Sequence, residues 1–127
     1  MDWQGNAEAW RVTQRLIFVS GPLRAASPEA IAINVSSASR VALALWRMGA
    51  AVICPHLNTG WFYGKLTEDA ALAGCLTMLR RCDALVLAPG WEESRGARDE
   101  RAEAYLRRLD VFAWPEDRGL IEAYLAQ

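Results

Sequence analysis

Residues 83–90 read DALVLAPG, five apolar residues in a row closed by Pro89 and Gly90. A run this short and this apolar suits a strand buried on both faces, and the Pro-Gly pair ends it in a turn. The same construction recurs along the chain. RLIFVS (15–20) stops at Gly21-Pro22, AAVIC (50–54) stops at Pro55, and VFAW (111–114) stops at Pro115. Helical periodicity fills the gaps. Ser27 offers an N-cap and Pro28 a first helical residue to a stripe of Ile31, Val35, Ala38, Ala42 and Leu45 that Gly49 ends. Thr67, with Glu68 and Asp69 in the first turn, opens a second helix along Leu72, Leu76 and Leu79. Ser94 caps a third, running to about Leu109, and Pro115-Glu116 opens a last one through Leu125. The order is βαβαβαβα. Continuous apolar strands alternating with helices predict an α/β fold: a three-layer Rossmann-like or flavodoxin-like domain with a four- to five-stranded, mainly parallel sheet.

The length of 127 residues suits one such domain over residues 15–127, preceded by an N-terminal arm over residues 1–14 that carries Trp3 and Trp10 without a clear period. A net charge of −1 with 23% charged residues gives no electrostatic footprint for a nucleic-acid polymer or an anionic membrane. A phosphate-bearing partner would be small and locally bound. No stretch approaches the ~20 apolar residues of a membrane span. The opening MDWQGNAEAWR lacks the apolar run of a signal peptide, so the expected location is the cytoplasm. Cys54, Cys75 and Cys82 form no CxxC pair and read as reduced core thiols. His56 is the only histidine and has no partner at metal-ligand spacing, so neither a metal nor another cofactor is expected.

In a parallel sheet ligands bind beyond the carboxyl ends of the strands, where three loops converge: SGPLR, CPHLNTGWFYG and APGWEES. In the first, Ser20 brings a hydroxyl, Gly21 and Pro22 bring close backbone, and Arg24 offers a fork for an anion. The same residues would equally make an ordinary strand-to-helix turn. In the second, His56 and Asn58 stand beside Trp61, Phe62 and Tyr63, a mixture suited to stacking a flat base. Aromatics there could as well cover the edge of the core. In the third, Gly90, Trp91, Ser94 and Gly96 lead into Glu100, and Ser94 with the helix-start N–H groups could hold an anion. Periodicity favours a solvated Glu100. It shares a narrow stripe with Ala97 and Ala104, whereas Ala102, Tyr105, Leu106 and Leu109 make a stronger apolar stripe on the other side.

IFVSGPLR, VICPHLNTGWFYG and RCDALVLAPGWEESRGARDE together resemble the nucleoside 2-deoxyribosyltransferase-like superfamily, most closely its uncharacterised DUF4406 branch, over about residues 15–114. The most specific part is CDALVLAPGWEESRGARDE. The resemblance assigns Glu100 the role of a nucleophile that attacks the anomeric carbon of a deoxyribose and displaces the base. It matches Ser20, Gly21 and Arg24 to a phosphate- and sugar-side loop, with Pro22 a departure from the usual pattern. Serine at position 94, where transferases of the superfamily tend to carry aspartate, leans towards a 2′-deoxynucleoside 5′-phosphate N-hydrolase that uses it for the phosphate. Cys75 departs from the pattern, since it occupies the place of an aspartate that holds the sugar and manages the proton. A thiol is no equivalent. Asp69, Glu92 or Glu93 would have to substitute. Asp83, at the opposite edge of the sheet, reads as structural.

The expected function is therefore that of a nucleotide or nucleoside N-glycosidase with Glu100 as catalytic group. The alternatives are a nucleoside 2-deoxyribosyltransferase and a non-catalytic nucleotide or metabolite binder of the same fold, which Cys75 favours. The expected partner is a small nucleotide or nucleoside. Six tryptophans in so short a chain, and the pairing common in the superfamily, also suggest a homo-oligomer or a purely structural role at its interface.

Overall fold

A computed structural model of the chain describes residues 14–62 and 64–127. The arm expected over residues 1–14, Gln14 apart, lies outside them, as does Tyr63. Strands β1 (Leu16–Ser20), β2 (Ala51–Ile53), β3 (Ala84–Leu87) and β4 (Asp110–Ala113) form one all-parallel sheet in the order β2-β1-β3-β4. Pairing of Ile17 with Ala84 and of Leu85 with Val111 sets the register. Helices α1 (Pro28–Arg47), α2 (Pro55–Thr59), α3 (Glu68–Leu79), α4 (Arg95–Leu106) and α5 (Arg118–Leu125) complete the fold.

The two-residue period of the strands distributes the core. Ile17, Val19, Ala84 and Val86 face one layer, where Ala38, Val41, Ala42 and Leu45 of α1 meet Ile121 and Tyr124 of α5. Phe18, Leu85 and Leu87 face the other, against Cys75 and Leu79 of α3 and Ala104 of α4. Strand order reverses between β1 and β3, so the crevice between these two strands opens between the helix layers. The three caps expected from sequence are present: Ser27, Thr67 and Ser94 accept hydrogen bonds from the N–H groups of Ala30 (3.2 Å), Ala70 (3.1 Å) and Ala97 (3.2 Å). Each such cap contributes about 1 kcal/mol. At the far edge Asp83 accepts from the N–H of Leu16 at 2.8 Å and returns its own N–H to the Leu16 carbonyl, a structural role.

Three boundaries differ from the periodicity. PHLNT, expected as loop, is the short helix α2, because Pro55 sets its first turn and the N–H groups of Leu57 and Gly60 close onto Cys54 and His56. Helix α4 stops at Leu106 rather than Leu109: Arg108 takes a left-handed φ of 59°, and the turn brings Leu109 back against the α3–α4 core. Pro115-Glu116 forms a turn, in which Asp117 accepts from the N–H of Ala113 at 2.8 Å, and regular helix begins only at Arg118. Four strands are present among the described residues. No helix among them is long and apolar enough to cross a membrane.

One glycine lets β1 and β3 stay close at the crevice by being small. A Cβ on Gly21 would stand 2.9 Å from the Cβ of Ala88, so β1 and β3 leave no room for a side chain as they enter their loops. By contrast, a Cβ on Gly74, inside α3, would meet nothing within 4 Å. Gly21→Ala is therefore expected to destabilise the fold by about 1–3 kcal/mol. Gly74→Ala should stabilise it by about 0.5–1 kcal/mol. Urea unfolding of the two variants checks the pair; equal effects would refute this account of the close approach.

Candidate functional site

Ser20 ends β1 on the side that faces α3 and α4, and it is wholly buried. Glu100 lies in the second turn of α4 and is only 7% exposed. The Ser20 hydroxyl donates to Oε1 of Glu100 at 2.5 Å, joining groups 80 positions apart. The solvated Glu100 favoured by periodicity is thus corrected. Helix α4 packs on the sheet through Ala97 and Ala104, both buried, and only small residues permit that approach. Glu100 belongs to the same face and goes in with them, while Tyr105 and Leu106 stay exposed.

Burial without a cation raises the Glu100 carboxyl to about pKa 7, and hydrogen bonds from Ser20 and Cys75 limit the rise. The Cys75 thiol, buried against this carboxylate, is pushed up to about 12 by desolvation first and by the charge and hydrogen bonding of Glu100 second. It stays an S–H donor at neutral pH and is no general acid there. Arg24 pulls its pKa down somewhat through proximity.

These groups line an open cleft of about 480 Å³ at the switch point. Of the residues singled out in the sequence, Gly21, Pro22, Arg24, His56, Gly90, Ser94, Gly96 and Glu100 line it, with Ser20 bonded to Glu100 from behind. Gly90 takes a φ of 87°, and Ser94 lies at the mouth as the cap of α4. Arg24 is half-buried, with Nη2 at 3.4 Å from the Leu66 carbonyl. His56 is buried, and its Nε2–H faces the carbonyls of Pro22 (2.9 Å) and Gly21 (3.2 Å), so the ring fastens α2 to the β1 loop. Desolvation lowers its pKa and keeps it neutral.

Besides Ser20, three of the singled-out residues do not line the cleft. Asn58 is exposed, Trp61 is 66% exposed, and Trp91 packs against the α3–α4 core beneath the Arg101 guanidinium. Of the three carboxylates considered as substitutes at position 75, Glu93 lines the cleft; Asp69 and Glu92 do not. Sequence reasoning missed Asn34, Thr59 and Glu68, which also line it. Asn34 had left a signal: it follows Ile31 by three residues, a polar group beside a buried helical stripe. Among the described residues no cluster of His, Cys, Asp or Glu could hold a metal ion.

A parallel α/β sheet whose switch-point crevice holds a buried carboxylate bonded to the last hydroxyl of β1 defines the class of protein. Within it, the chain belongs to the family described as domain of unknown function DUF4406, whose model matches residues 16–113, from the first residue of β1 to the last of β4. No curated protein matches the chain in sequence.

The raised carboxyl carries a stability signature. Its ordinary value is 4.5 and its folded value about 7, so between these limits the unfolded chain has released a proton that the folded chain still holds. Stability from this group is full below pH 4.5 and is lost as pH rises towards 7, by about 1.4 kcal/mol per unit. The buried neutral His56 acts in the opposite sense, so the difference between two proteins is the informative quantity. Glu100→Gln should gain on the wild type steadily from pH 5 to pH 7 in chemical denaturation; a difference independent of pH would show that the carboxyl titrates normally.

Proposed function

We propose that the protein cleaves the N-glycosidic bond of a nucleotide or nucleoside, as a 2′-deoxynucleoside 5′-phosphate N-hydrolase would, with Glu100 as nucleophile. The observation that carries this reading is the placement of Glu100: a carboxylate buried at the switch point, aimed into the cleft and held by Ser20. The resemblance to the nucleoside 2-deoxyribosyltransferase-like superfamily supports it further. An Oε of Glu100 attacks the anomeric carbon, the carbon–nitrogen bond breaks, and its electron pair leaves with the base nitrogen, which takes up a proton from water. Water then attacks the same carbon, the carbon–carboxylate bond breaks, and Glu100 is restored as one proton departs. A second base in place of water would give a transferase. Ser94, Gly96 and Arg24 supply the polar groups for a phosphate at the mouth.

One observation favours a second reading, a nucleotide binder without turnover: the thiol of Cys75 is too weak an acid to assist a leaving group. Product analysis separates the two. Hydrolysis predicts free base from deoxynucleoside monophosphates and its disappearance in Glu100→Ala. Heat stabilisation by the same nucleotides, with no base released on long incubation, would select the binder; at a hundredfold the dissociation constant the gain is about 2.7 kcal/mol.

The nucleophile must be ionised, so kcat/KM should rise with pH to a plateau with its midpoint near 7, falling about tenfold per unit well below it. A profile already flat down to pH 5 would exclude Glu100 as the titrating nucleophile.

A further inference from the structure

The wall of the cleft across from Glu100 belongs to the other side of the fold and is built from Asn34 of α1 and Pro55, His56 and Thr59 of α2. The orientation of the Asn34 amide is fixed by chemistry. A carbonyl can only accept, so the 3.1 Å contact with the Leu23 carbonyl identifies the bonded atom as Nδ2 and turns Oδ1 the other way. Among the described residues no side chain donates to that Oδ1, and it is not sealed away: the Tyr124 hydroxyl is the only buried side-chain polar atom there without a partner. Oδ1 is thus an open acceptor. Thr59 adds a second, because its hydroxyl proton points to the Pro55 carbonyl at 3.4 Å and leaves the oxygen lone pairs free. The Nε2–H of His56 is already committed to backbone carbonyls and offers this wall no donor.

The direction of displacement says what meets this wall. A carboxylate that attacks the anomeric carbon expels the base from the opposite face of the sugar, so a base displaced by Glu100 departs towards α1 and α2. We propose that Asn34 is a specificity-determining residue: its Oδ1 accepts a hydrogen bond from the exocyclic amino group of the base, with Thr59 beside it as a second acceptor. The cleft then takes amino-bearing bases in preference to those that carry a carbonyl at the same position. A carbonyl there would set acceptor against acceptor and leave both unpaired, which penalises the wrong base more heavily than a missing apolar contact does. The inference rests on the reading of Glu100 as the nucleophile, and it reaches the selection of substrate, which that reading leaves open.

The test uses two matched pairs, 2′-deoxyadenosine against 2′-deoxyinosine 5′-monophosphate and 2′-deoxycytidine against 2′-deoxyuridine 5′-monophosphate. Base release by the wild type and calorimetric binding to Glu100→Gln are both measured. The amino member of at least one pair should be favoured about tenfold to a hundredfold. Asn34→Ala should bring that preference to near unity. Asn34→Asp keeps an acceptor but loses the donor to Leu23, and it should retain most of the preference; a residue that merely anchors the β1 loop would lose as much with Asp as with Ala. If Asn34→Ala does not fold, the wild-type pairs and Asn34→Asp decide. Equal use of both members of each pair, or a preference that survives Asn34→Ala, overturns the role of Asn34 and leaves the hydrolase reading intact. Amine-selective binding without any release overturns the hydrolase reading and upholds Asn34. Neither binding nor release overturns both.

Discussion

Parallel pairing of β1 with β3 is the constraint from which the rest of the architecture follows. The two strands are buried on both faces, and their side chains alternate between two helix layers. The chain runs outward from β1 to β2 and then crosses back to β3, so the pairing also creates the one place where the loops beyond neighbouring strands diverge. Gly21 and Ala88 touch at that place, and Ser20 ends its strand immediately before it. The bond from Ser20 to Glu100 is a consequence of this register: shift β1 by one residue and the hydroxyl would face the opposite layer.

Much of this was legible in the sequence because it depends on period and punctuation. Four apolar runs ended by Gly or Pro, and three capping residues at Ser27, Thr67 and Ser94, fixed the order of elements within a few residues. The helix α2 was obscured because a five-residue helix has too little length for a period to register. Periodicity taken alone misplaced Glu100 for a different reason. Hydrophobic periodicity weighs side chains by how apolar they are, but the contact between α4 and the sheet is governed by size. Ala97 and Ala104 win the inner face because they are small, and Tyr105 and Leu106 lose it despite being more apolar.

The cleft itself was legible only in part. Residues of SGPLR and APGWEES reach the cleft because both loops flank the reversal of strand order. The aromatic loop divided: His56 lines the cleft while Trp61 stands out in solvent. Spacing could flag Asn34 but could assign no role to it or to Thr59, because what matters in each is the direction left open after one local hydrogen bond is made. A one-dimensional pattern does not contain that direction.

The small inner face of α4 has a cost in another currency. A helix that seats a carboxylate close to the sheet must carry its larger apolar side chains outside, and Leu106 at 75% exposed and Tyr105 at 54% are what remains in water. The feature that makes the crevice therefore also leaves apolar side chains in water, where the Arg101 guanidinium lies 4.7 Å from the centre of the Tyr105 ring and shields one of them.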